Sequence, residues 1–427
     1  MNTFLSFLVD SIFDPAKGLL LDFVFYYPLF MAYLWMTGAI FHYFHFERRY
    51  IKLKVPPELK EYPGVALVVP CHNEEQHAQE TITQLLLQDY PDFEVIAIND
   101  GSKDRTGAIL DELAKHDKRL RVIHQTTNQG KAVGLNMAAL MTDKEFLVCV
   151  DADTLLDENA VAWMMQHFVN SPRVGAVTGN PRIRNRSTLL GRVQVGEFSS
   201  ILGLIKRAQR IFGRIYTVSG VVSAFRTSAI HEVGYWSPEM LTDDIDASWK
   251  LQLAHWDIRF EPKALCWILM PETFAGLWKQ RLRWSMGGIQ ALLKFLPMLF
   301  SWKSRRMWMI YAEFLLSISW GYAISVATIF ALLSMLFPMP DLLYVPPPTL
   351  GWTGVVLGVT CMLQITISLL LDYKYDYSLW RVQFWMVWYP LIYWMLTVLT
   401  VVVAVPRILL RNNKPNATWE SPDRGVR

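Results

Sequence analysis

The sequence predicts an α/β domain, with a mostly parallel sheet and flanking helices, inserted between transmembrane helices. Between about residues 60 and 290, short β-forming runs alternate with helical runs, which is typical of parallel strands joined by crossover helices. Long uncharged runs lie on both sides of this block. Of the 427 residues, 52% are hydrophobic and only 19% are charged. The chain is therefore long enough for about two or three domains and too apolar for an ordinary soluble protein.

The central block divides into strands and helices by the length and spacing of its apolar residues. Short runs rich in Val, Ile and Phe predict strands, and longer runs with apolar residues on one face predict helices. The expected strands cover residues 65–70, 94–100, 120–125 and 146–153, and the expected helices between them cover about 76–88, 104–115 and 131–141.

Four uncharged runs are each long enough to cross roughly 30 Å of hydrocarbon as a helix. Basic residues crowd after the first and the last run, so the positive-inside rule faces both of these ends, and the block between them, to the cytoplasm. Three runs after the block would leave the C-terminus outside. Either one of them is re-entrant or doubled, or the charges of the tail mislead. The runs are residues 23–46, 314–340, 349–371 and 382–406, and the sequence leaves the topology of 1–22 and 342–406 open.

These patterns divide the chain into five expected segments. Residues 1–50 and 307–406 are the expected membrane segments. Residues 51–270 form the α/β domain, and residues 271–306 form amphipathic helices at the membrane surface. Residues 407–427 are a cytoplasmic tail.

Two carboxylates, Asp151 and Asp153, end the apolar run that starts at Phe146. The run predicts a buried strand, so both side chains should emerge at its C-terminal edge, where open α/β sheets bind ligands. Mg²⁺ or Mn²⁺ takes oxygen ligands and borrows others from substrate phosphates, so this pair suggests a nucleotide-diphosphate site. Taken alone, Asp-x-Asp is also typical of a strand-end turn with solvated aspartates.

Further polar loops follow the first and second strands, and they contain Asn73, Glu74 and Asp100. They should open on the same edge as Asp151. No Gly-x-Gly-x-x-Gly or Walker loop occurs, which argues against a dinucleotide enzyme and a P-loop NTPase. Lys131 begins a predicted helix and offers a cation and a helix N-terminus to phosphate, although an ordinary helix start explains it equally well.

The composition excludes some partners and sites. A net charge of +3 without a basic stripe of interleaved aromatics gives no indication of nucleic acid binding. The four cysteines share no Cys-x-x-Cys spacing and lie in apolar surroundings, so we expect reduced structural thiols and no zinc site.

Two motifs lie further along the chain. Residues 240–246 place several acids before an amphipathic run, which helix-dipole effects alone also explain. Residues 276–284 combine three cations with two tryptophans on a predicted amphipathic helix. Helices at membrane surfaces have this composition too, but that interpretation gives no role to Gln280.

Together, the motifs resemble the processive family 2 glycosyltransferases, which include cellulose, chitin and hyaluronan synthases. Within this group the chain is most similar to the bacterial poly-β-1,6-N-acetylglucosamine synthases. The resemblance runs from about residue 20 and implies a GT-A nucleotide-sugar transferase domain. It rests on Asn99-Asp100-Gly101, Asp151-x-Asp153, Thr242-Asp243-Asp244, Gln280-x-x-Arg283-Trp284 and the segments 177–184, 219–221, 261–267, 271–273, 277–284 and 419–425.

The resemblance implies an inverting, processive enzyme that polymerises N-acetylglucosamine from UDP-N-acetylglucosamine. The β-linked product, with β-1,6 linkage by resemblance, would be exported across the bacterial inner membrane as biofilm matrix. The enzyme would be a multi-pass protein of the lipid bilayer with its catalytic domain in the cytoplasm. Residue spacing does not itself fix the linkage position. A small membrane partner subunit and activation by cyclic di-GMP are implied by the family alone, since this chain has no recognisable receptor motif for that nucleotide.

The resemblance also assigns site residues. Asp244 maps to the catalytic base, and the metal, Mg²⁺ (or Mn²⁺), maps to Asp151 and Asp153. Where the family usually has Thr-Glu-Asp, this chain has Asp243 as the middle residue, so the change falls beside the base. The nucleotide-sugar contacts are expected at Pro70, Asn73, Glu74, Asp100, Lys131 and Asp151, and the acceptor and diphosphate platform at Ser219, Gly220, Thr242, Asp243, Gln280, Arg283 and Trp284.

Three alternatives remain open. Synthesis of chitin or hyaluronan keeps the chemistry and changes the polymer, and hyaluronan requires UDP-glucuronic acid as a second donor. Transfer of one sugar to a polyprenyl phosphate is a further alternative, although such enzymes generally lack the Gln-x-x-Arg-Trp motif. A non-catalytic membrane scaffold with a GT-A fold belongs to another class, because a fold does not itself imply activity.

Overall fold

The structure, a computed structural model, is built around an eight-stranded mixed sheet. It describes residues 14–338, 344, 345, 347, 351–411 and 417. Predictions for residues 1–13, for most of the tail and for the similarity at 419–425 lie outside these described residues. The strands are β1 (Val65–Cys71), β2 (Phe93–Asp100), β3 (Leu120–Gln125), β4 (Phe146–Val150), β5 (Leu155–Leu156), β6 (Val174–Ile183), β7 (Val222–Arg226) and β8 (Asp257–Ile268).

The strands lie in the order β3-β2-β1-β4-β7-β6-β8-β5. The first four are parallel neighbours, which confirms the predicted parallel sheet for this half. β7 runs antiparallel to both β4 and β6, and β6 and β8 pair in parallel. Because parallel strands share a direction, the loops after β1, β2 and β4 open at one edge of the sheet.

Helices cover both faces of this sheet, which explains the continuous apolar runs of its strands. The helix expected over residues 131–141 has those bounds in the structure. The strand expected to reach Asp153 instead ends at Val150, because the chain turns there and Thr154 N donates to Asp151 O at 3.1 Å. The helices are α1 (Asp14–His42), α2 (Ala78–Leu86), α3 (Thr106–His116), α4 (Lys131–Met141), α5 (Ala160–Val169), α6 (Leu189–Phe198), α7 (Lys206–Phe212), α8 (Thr227–Glu232), α9 (Asp243–Leu253), α10 (Phe274–Leu299), α11 (Trp308–Leu336), α12 (Trp352–Asp372) and α13 (Trp394–Leu409).

Three helical segments of the described chain are long and apolar enough to cross a membrane, which supports the prediction of a membrane protein. They are Asp14–Glu47, Trp302–Leu336 and Trp352–Asp372. The run at residues 382–406, whose topology the sequence leaves open, is not among these three segments. This run is divided into short 3₁₀ and π-helical turns before α13, which has 16 residues. Pro390 lies at the start of the π-helical turn, where its missing N–H separates the turns before it from the helix after it.

One buried arginine joins two of these segments to the α/β domain. Arg207 lies 2.5 Å from Glu47 Oε1 through Nε and 2.8 Å from Asp372 Oδ1 through Nη1. Glu47 and Asp372 are the last residues of the first and third candidate spans. Both helix ends therefore lie beside the α/β domain, and the two long helices after that domain return the chain to the same face. This arrangement favours the alternative in which one apolar run after the domain does not span.

Candidate active site

A cavity opens where β1, β2 and β4 end. Four of its lining residues are among the expected nucleotide-sugar contacts, namely Pro70, Asp100, Lys131 and Asp151. The sequence analysis missed three other lining residues, Cys71, His72 and Ala152, although each lies next to an expected residue in the chain. All four cysteines are free and buried, as expected for structural thiols.

Asn73 and Glu74 do not line this cavity; they join the loops after β1 and β2. Asn73 has a positive φ of 55°, and its backbone N donates to Ser102 Oγ at 3.0 Å. Its side-chain Oδ1 accepts from Lys103 N at 2.9 Å, and Glu74 N donates to Thr106 Oγ1 at 2.8 Å. These contacts fix the shape of the cavity rim, and direct nucleotide binding by the two residues stays a prediction.

Asp100 fixes the start of α4. Its two carboxylate oxygens accept backbone N–H bonds from Gln129 at 2.8 Å and from Gly130 at 2.9 Å. Gly130 has a φ of 94°, a left-handed conformation that favours glycine, and it directly precedes Lys131. Asp100 therefore sets the position of Lys131 as well as facing the cavity.

Lys131 connects the cavity to the opposite side of the site. Its Nζ donates to Asp151 Oδ1 at 2.5 Å and to the carbonyl oxygen of Gly220 at 2.7 Å. Burial disfavours a charge on this ammonium, but the carboxylates of Asp151, Asp243 and Asp244 outweigh it and raise the pKa of Lys131. Lys131 is therefore a permanent cation between two acidic groups.

Asp153 follows the cavity-lining residue Ala152 in the chain but does not itself line the cavity. It is 8% exposed, with Thr154 Oγ1 3.4 Å from its Oδ1. Within the residues that the structure describes, no group of three or more His, Cys, Asp or Glu side chains is arranged to hold a metal. Asp151 and Asp153 supply hard carboxylate oxygens from two residues. Such a donor set suits Mg²⁺ or Mn²⁺ when substrate phosphates and water complete the coordination.

Asp244 lies on the other side of Gly220. A Cβ built on Gly220 would be 3.3 Å from Asp244 Oδ2, so glycine allows the close approach of this carboxylate. Asp244 is in the first turn of α9. Burial raises its pKa to about 6, Asp243 adds to the shift, and Lys131 opposes it. A carboxylate with this pKa is well matched to accepting a proton near neutral pH.

Four expected platform residues are on α10 or directly before α9. Arg283 Nη1 donates to Leu241 O at 3.2 Å. Gln280 Oε1 and Thr242 Oγ1 are buried oxygens without a hydrogen-bond partner in the described part of the chain. Trp284 packs against Arg281, whose guanidinium lies 4.5 Å from the ring centroid. The two oxygens retain the capacity to bind hydroxyl groups.

The Ser219–Gly220 turn lies between the Lys131–Asp151 pair and Asp244. Ser219 N donates to Thr178 Oγ1 at 2.8 Å, and Ser219 O accepts from Ser223 Oγ at 2.6 Å. With the bond from Lys131 to Gly220, these contacts fix the turn between Asp151 and Asp244. The structure thus brings together the end of β4, the start of α4, the turn before β7 and the start of α9.

Comparisons with known proteins identify the family of this chain. The sequence profile described as Glycosyltransferase like family 2 matches residues 63–287, which is more than half of the chain. The chain belongs to glycosyltransferase family 2. The match confirms the resemblance that the motifs indicated, and the chain is a glycosyltransferase.

Relatives of this family 2 glycosyltransferase share almost its whole length. Poly-beta-1,6-N-acetyl-D-glucosamine synthase of Staphylococcus epidermidis is 37% identical over 406 residues, covering 95% of this chain and 98% of the relative. The protein of the same name from Staphylococcus aureus (strain COL) is 37% identical over 405 residues, with the same coverage.

The fold of the family 2 glycosyltransferase also has a solved counterpart. The mannosyltransferase PcManGT of Pyrobaculum calidifontis, solved in complex with GDP-Man and Mn²⁺, superposes with a TM-score of 0.59. The match covers 91% of this chain and 99% of the other, at 18% sequence identity. At that identity the likeness concerns the fold, and it confirms the predicted GT-A class with its helical additions.

Proposed function

We propose that this enzyme polymerises N-acetylglucosamine from UDP-N-acetylglucosamine into a β-1,6-linked exopolysaccharide. Relatives with that name match 95% of the chain. The structural observation that carries the proposal is the position of Asp244, which lies across Gly220 from the Lys131–Asp151 pair. If UDP-N-acetylglucosamine binds in the cavity, Lys131 would thus lie near its diphosphate, and Asp244 would lie on the far side of its sugar.

The proposed reaction is a single displacement with inversion. The acceptor hydroxyl oxygen forms a bond to the anomeric carbon, and the bond from that carbon to the UDP oxygen breaks. Asp244 takes the hydroxyl proton, for which its raised pKa is suited. Lys131 and Arg283 supply positive charge to the departing diphosphate, and their partly buried surroundings strengthen this interaction.

Asp151 and Asp153 are the proposed holders of Mg²⁺ or Mn²⁺. Their carboxylates fit a hard cation that completes its coordination from a diphosphate. When bound, the ion would neutralise charge on the leaving group. In the described structure Lys131 neutralises Asp151 instead, at 2.5 Å, so this carboxylate already has a cationic partner.

The remaining site residues are proposed to bind the nucleotide or the acceptor. Pro70, Asn73, Glu74 and Asp100 are proposed for the nucleotide. For the acceptor, an aromatic face suits the C–H-rich face of a sugar ring, and buried oxygens accept its hydroxyls. The proposed acceptor platform consists of Ser219, Gly220, Thr242, Asp243, Gln280, Arg283 and Trp284.

We further propose the cellular arrangement that the resemblance implies. The catalytic domain, residues 51–270, would lie in the bacterial cytoplasm, with the segments at 271–306 on the inner face of the inner membrane. The helices of 1–50 and 307–406 would carry the polymer outward for a biofilm matrix, and 407–427 would remain cytoplasmic. A small membrane partner and cyclic di-GMP are proposed regulators on family grounds.

The deciding experiment is linkage analysis of the polymer made by the purified protein in lipid vesicles. With UDP-N-acetylglucosamine as the sole donor, we expect a β-1,6-linked product that an external glycosidase does not digest. A β-1,4-linked product would indicate a chitin-type synthase, and a requirement for UDP-glucuronic acid would indicate a hyaluronan-type synthase. Absence of any transfer, with and without candidate partners, would favour a scaffold.

A further inference from the structure

Two successive cations at the start of α7, Lys206 and Arg207, are both buried. Lys206 is 4% exposed and Arg207 is 0% exposed. A buried charge is costly unless carboxylates and hydrogen bonds compensate it. Arg207 has such compensation from Glu47 and Asp372. Lys206 Nζ donates to a neutral hydroxyl, Thr178 Oγ1, at 3.0 Å. Burial lowers the pKa of Lys206 to about 7, and the negative charge of Asp244 opposes this shift only in part.

The hydroxyl of Thr178 links Lys206 to the active site. Thr178 Oγ1 also accepts the 2.8 Å bond from Ser219 N, so one oxygen serves the lysine and the catalytic turn. On the other side of that turn, Lys131 holds Gly220 O at 2.7 Å. The Ser219–Gly220 turn is therefore held by two lysines, directly by Lys131 and through Thr178 by Lys206.

The other side of the same helical segment contacts the first and third candidate membrane spans, Asp14–Glu47 and Trp352–Asp372. Residues Ser199–Ile205 form a π-helical turn that leads into α7. A Cβ at Gly203 would be 2.4 Å from Asp372 Oδ2, and a Cβ at Gly38 in α1 would be 2.8 Å from Ala208 Cβ. Successive helical residues point about 100° apart, so Lys206 and Arg207 face different partners.

We infer that Lys206 is a positioning residue for the transfer reaction, one that sets the Ser219–Gly220 turn against Asp244 from a helix anchored on the membrane segments. The inference rests on the proposed function. Thr178 and Ser219 transmit its effect, and Lys206 itself need not touch substrate. An apolar side chain of similar length would fill the same space without the cost of burying an amine, so on this inference the lysine has a cost to stability and a benefit to turnover.

The test compares Lys206→Met with the wild type by thermal unfolding in detergent, UDP binding and the rate of UDP release. We expect an unfolding temperature at least equal to that of the wild type and unchanged UDP affinity. Turnover should fall by about 10- to 100-fold, because a small displacement of reacting groups lowers the rate strongly. A variant that keeps full turnover would overturn the inference, as would one in which stability and turnover fall together.

Substitutions at Thr178 test the same inference independently. Thr178→Val removes the shared oxygen and should lower turnover as Lys206→Met does, whereas Thr178→Ser keeps the hydroxyl and should retain most of the rate. The double variant Lys206→Met, Thr178→Val should be no slower than the slower single variant, since both interrupt one path. If the turnover losses of the two single variants multiply in the double variant, Lys206 and Thr178 do not act through one path. If Lys206→Met and Thr178→Val both fail to fold, Lys206 is a structural cation and the inference is wrong.

A matched control is Lys144→Met. Lys144 pairs with Asp92 at the opposite edge of the sheet, at 2.5 Å, and its loss should leave turnover unchanged. The wild type separates the two proposals. A wild-type protein that does not release UDP from UDP-N-acetylglucosamine contradicts the proposed function. An active wild type with an equally active Lys206→Met variant contradicts only the role of Lys206.

Discussion

Asp244 lies directly against Gly220, with its Oδ2 3.3 Å from the place where a Cβ at Gly220 would be. The carbonyl of Gly220 accepts the ammonium of Lys131 at 2.7 Å, and that ammonium also binds Asp151. One glycine thus stands between the acidic group at the nucleotide cavity and the acidic group proposed as the base. The contact makes the distance between these two groups sensitive to one methyl group.

Gly220→Ala should slow transfer without unfolding the protein. The added methyl approaches Asp244 Oδ2 more closely than most such contacts allow, so the carboxylate must shift. We expect turnover to fall by about 10- to 100-fold at unchanged UDP affinity. Gly358→Ala is the control, because a Cβ there meets nothing within 4 Å. Equal turnover in both variants would argue against a tight fit at Gly220.

Asp244→Asn should abolish polymer synthesis while UDP binding survives. The amide has nearly the same shape but cannot accept the hydroxyl proton, and positioned bases contribute about 10²- to 10⁴-fold. UDP release and calorimetric UDP binding measure the two effects separately. Substantial turnover in this variant would remove Asp244 from the role of base.

The rate should depend on pH through Asp244. Burial and Asp243 raise the pKa of Asp244 to about 6, and the base must be deprotonated to act. Turnover should therefore fall as the pH drops through about 6, roughly tenfold for each further unit. Asp243→Asn removes a negative neighbour, which lowers the pKa of Asp244 and moves this acidic limb to lower pH. A limb that stays in place would show that another group controls it.

Removal of divalent metal should stop the reaction. EDTA should abolish UDP release, and excess Mg²⁺ or Mn²⁺ should restore it, because Asp151 and Asp153 supply only part of a coordination shell. EDTA already saturated with Mg²⁺ is the control and should have no effect. Full activity in EDTA would exclude the proposed metal role of both residues.

Asp372→Asn should destabilise the protein. Asp372 is 0% exposed and pairs with Arg182 at 2.9 Å and with Arg207 at 2.8 Å. Loss of its charge leaves two buried guanidiniums without this counterion, and broken buried pairs cost about 3–5 kcal/mol. We expect a lower unfolding temperature in detergent. Asp14→Asn, at an exposed carboxylate, is the control and should leave this temperature unchanged.

Local patterns in the sequence were sufficient for the strands and helices near the cavity. The bounds of β3 and α4 match those expected, because alternation and helical spacing are set by neighbouring residues. The topology of the run at 382–406 stays open in the sequence because hydropathy records apolar composition and not the change from 3₁₀ to π to α turns around Pro390. Its place in the fold depends on packing that composition does not contain.

The site was predictable where a motif follows a strand and unpredictable where distant segments meet. Asp151 and Lys131 line the cavity as expected, since both lie at ends of predicted elements. Lys206 gave no signal, because a lysine in a basic, apolar helix normally reaches solvent from a surface. Its burial arises from packing of α7 against α1 and β8 and from the hydrogen bond to Thr178 on β6, which only the folded chain reveals.

The anchoring of Arg207 has a mechanical consequence. Rotation of the catalytic domain relative to Glu47 and Asp372, the last residues of the first and third candidate spans, would break buried ion pairs whose loss costs several times the thermal energy. Domain and helices should thus behave as one rigid body through each catalytic cycle. If the helices carry the polymer as proposed, it would advance one sugar per transfer along a path whose walls do not move relative to the catalytic domain.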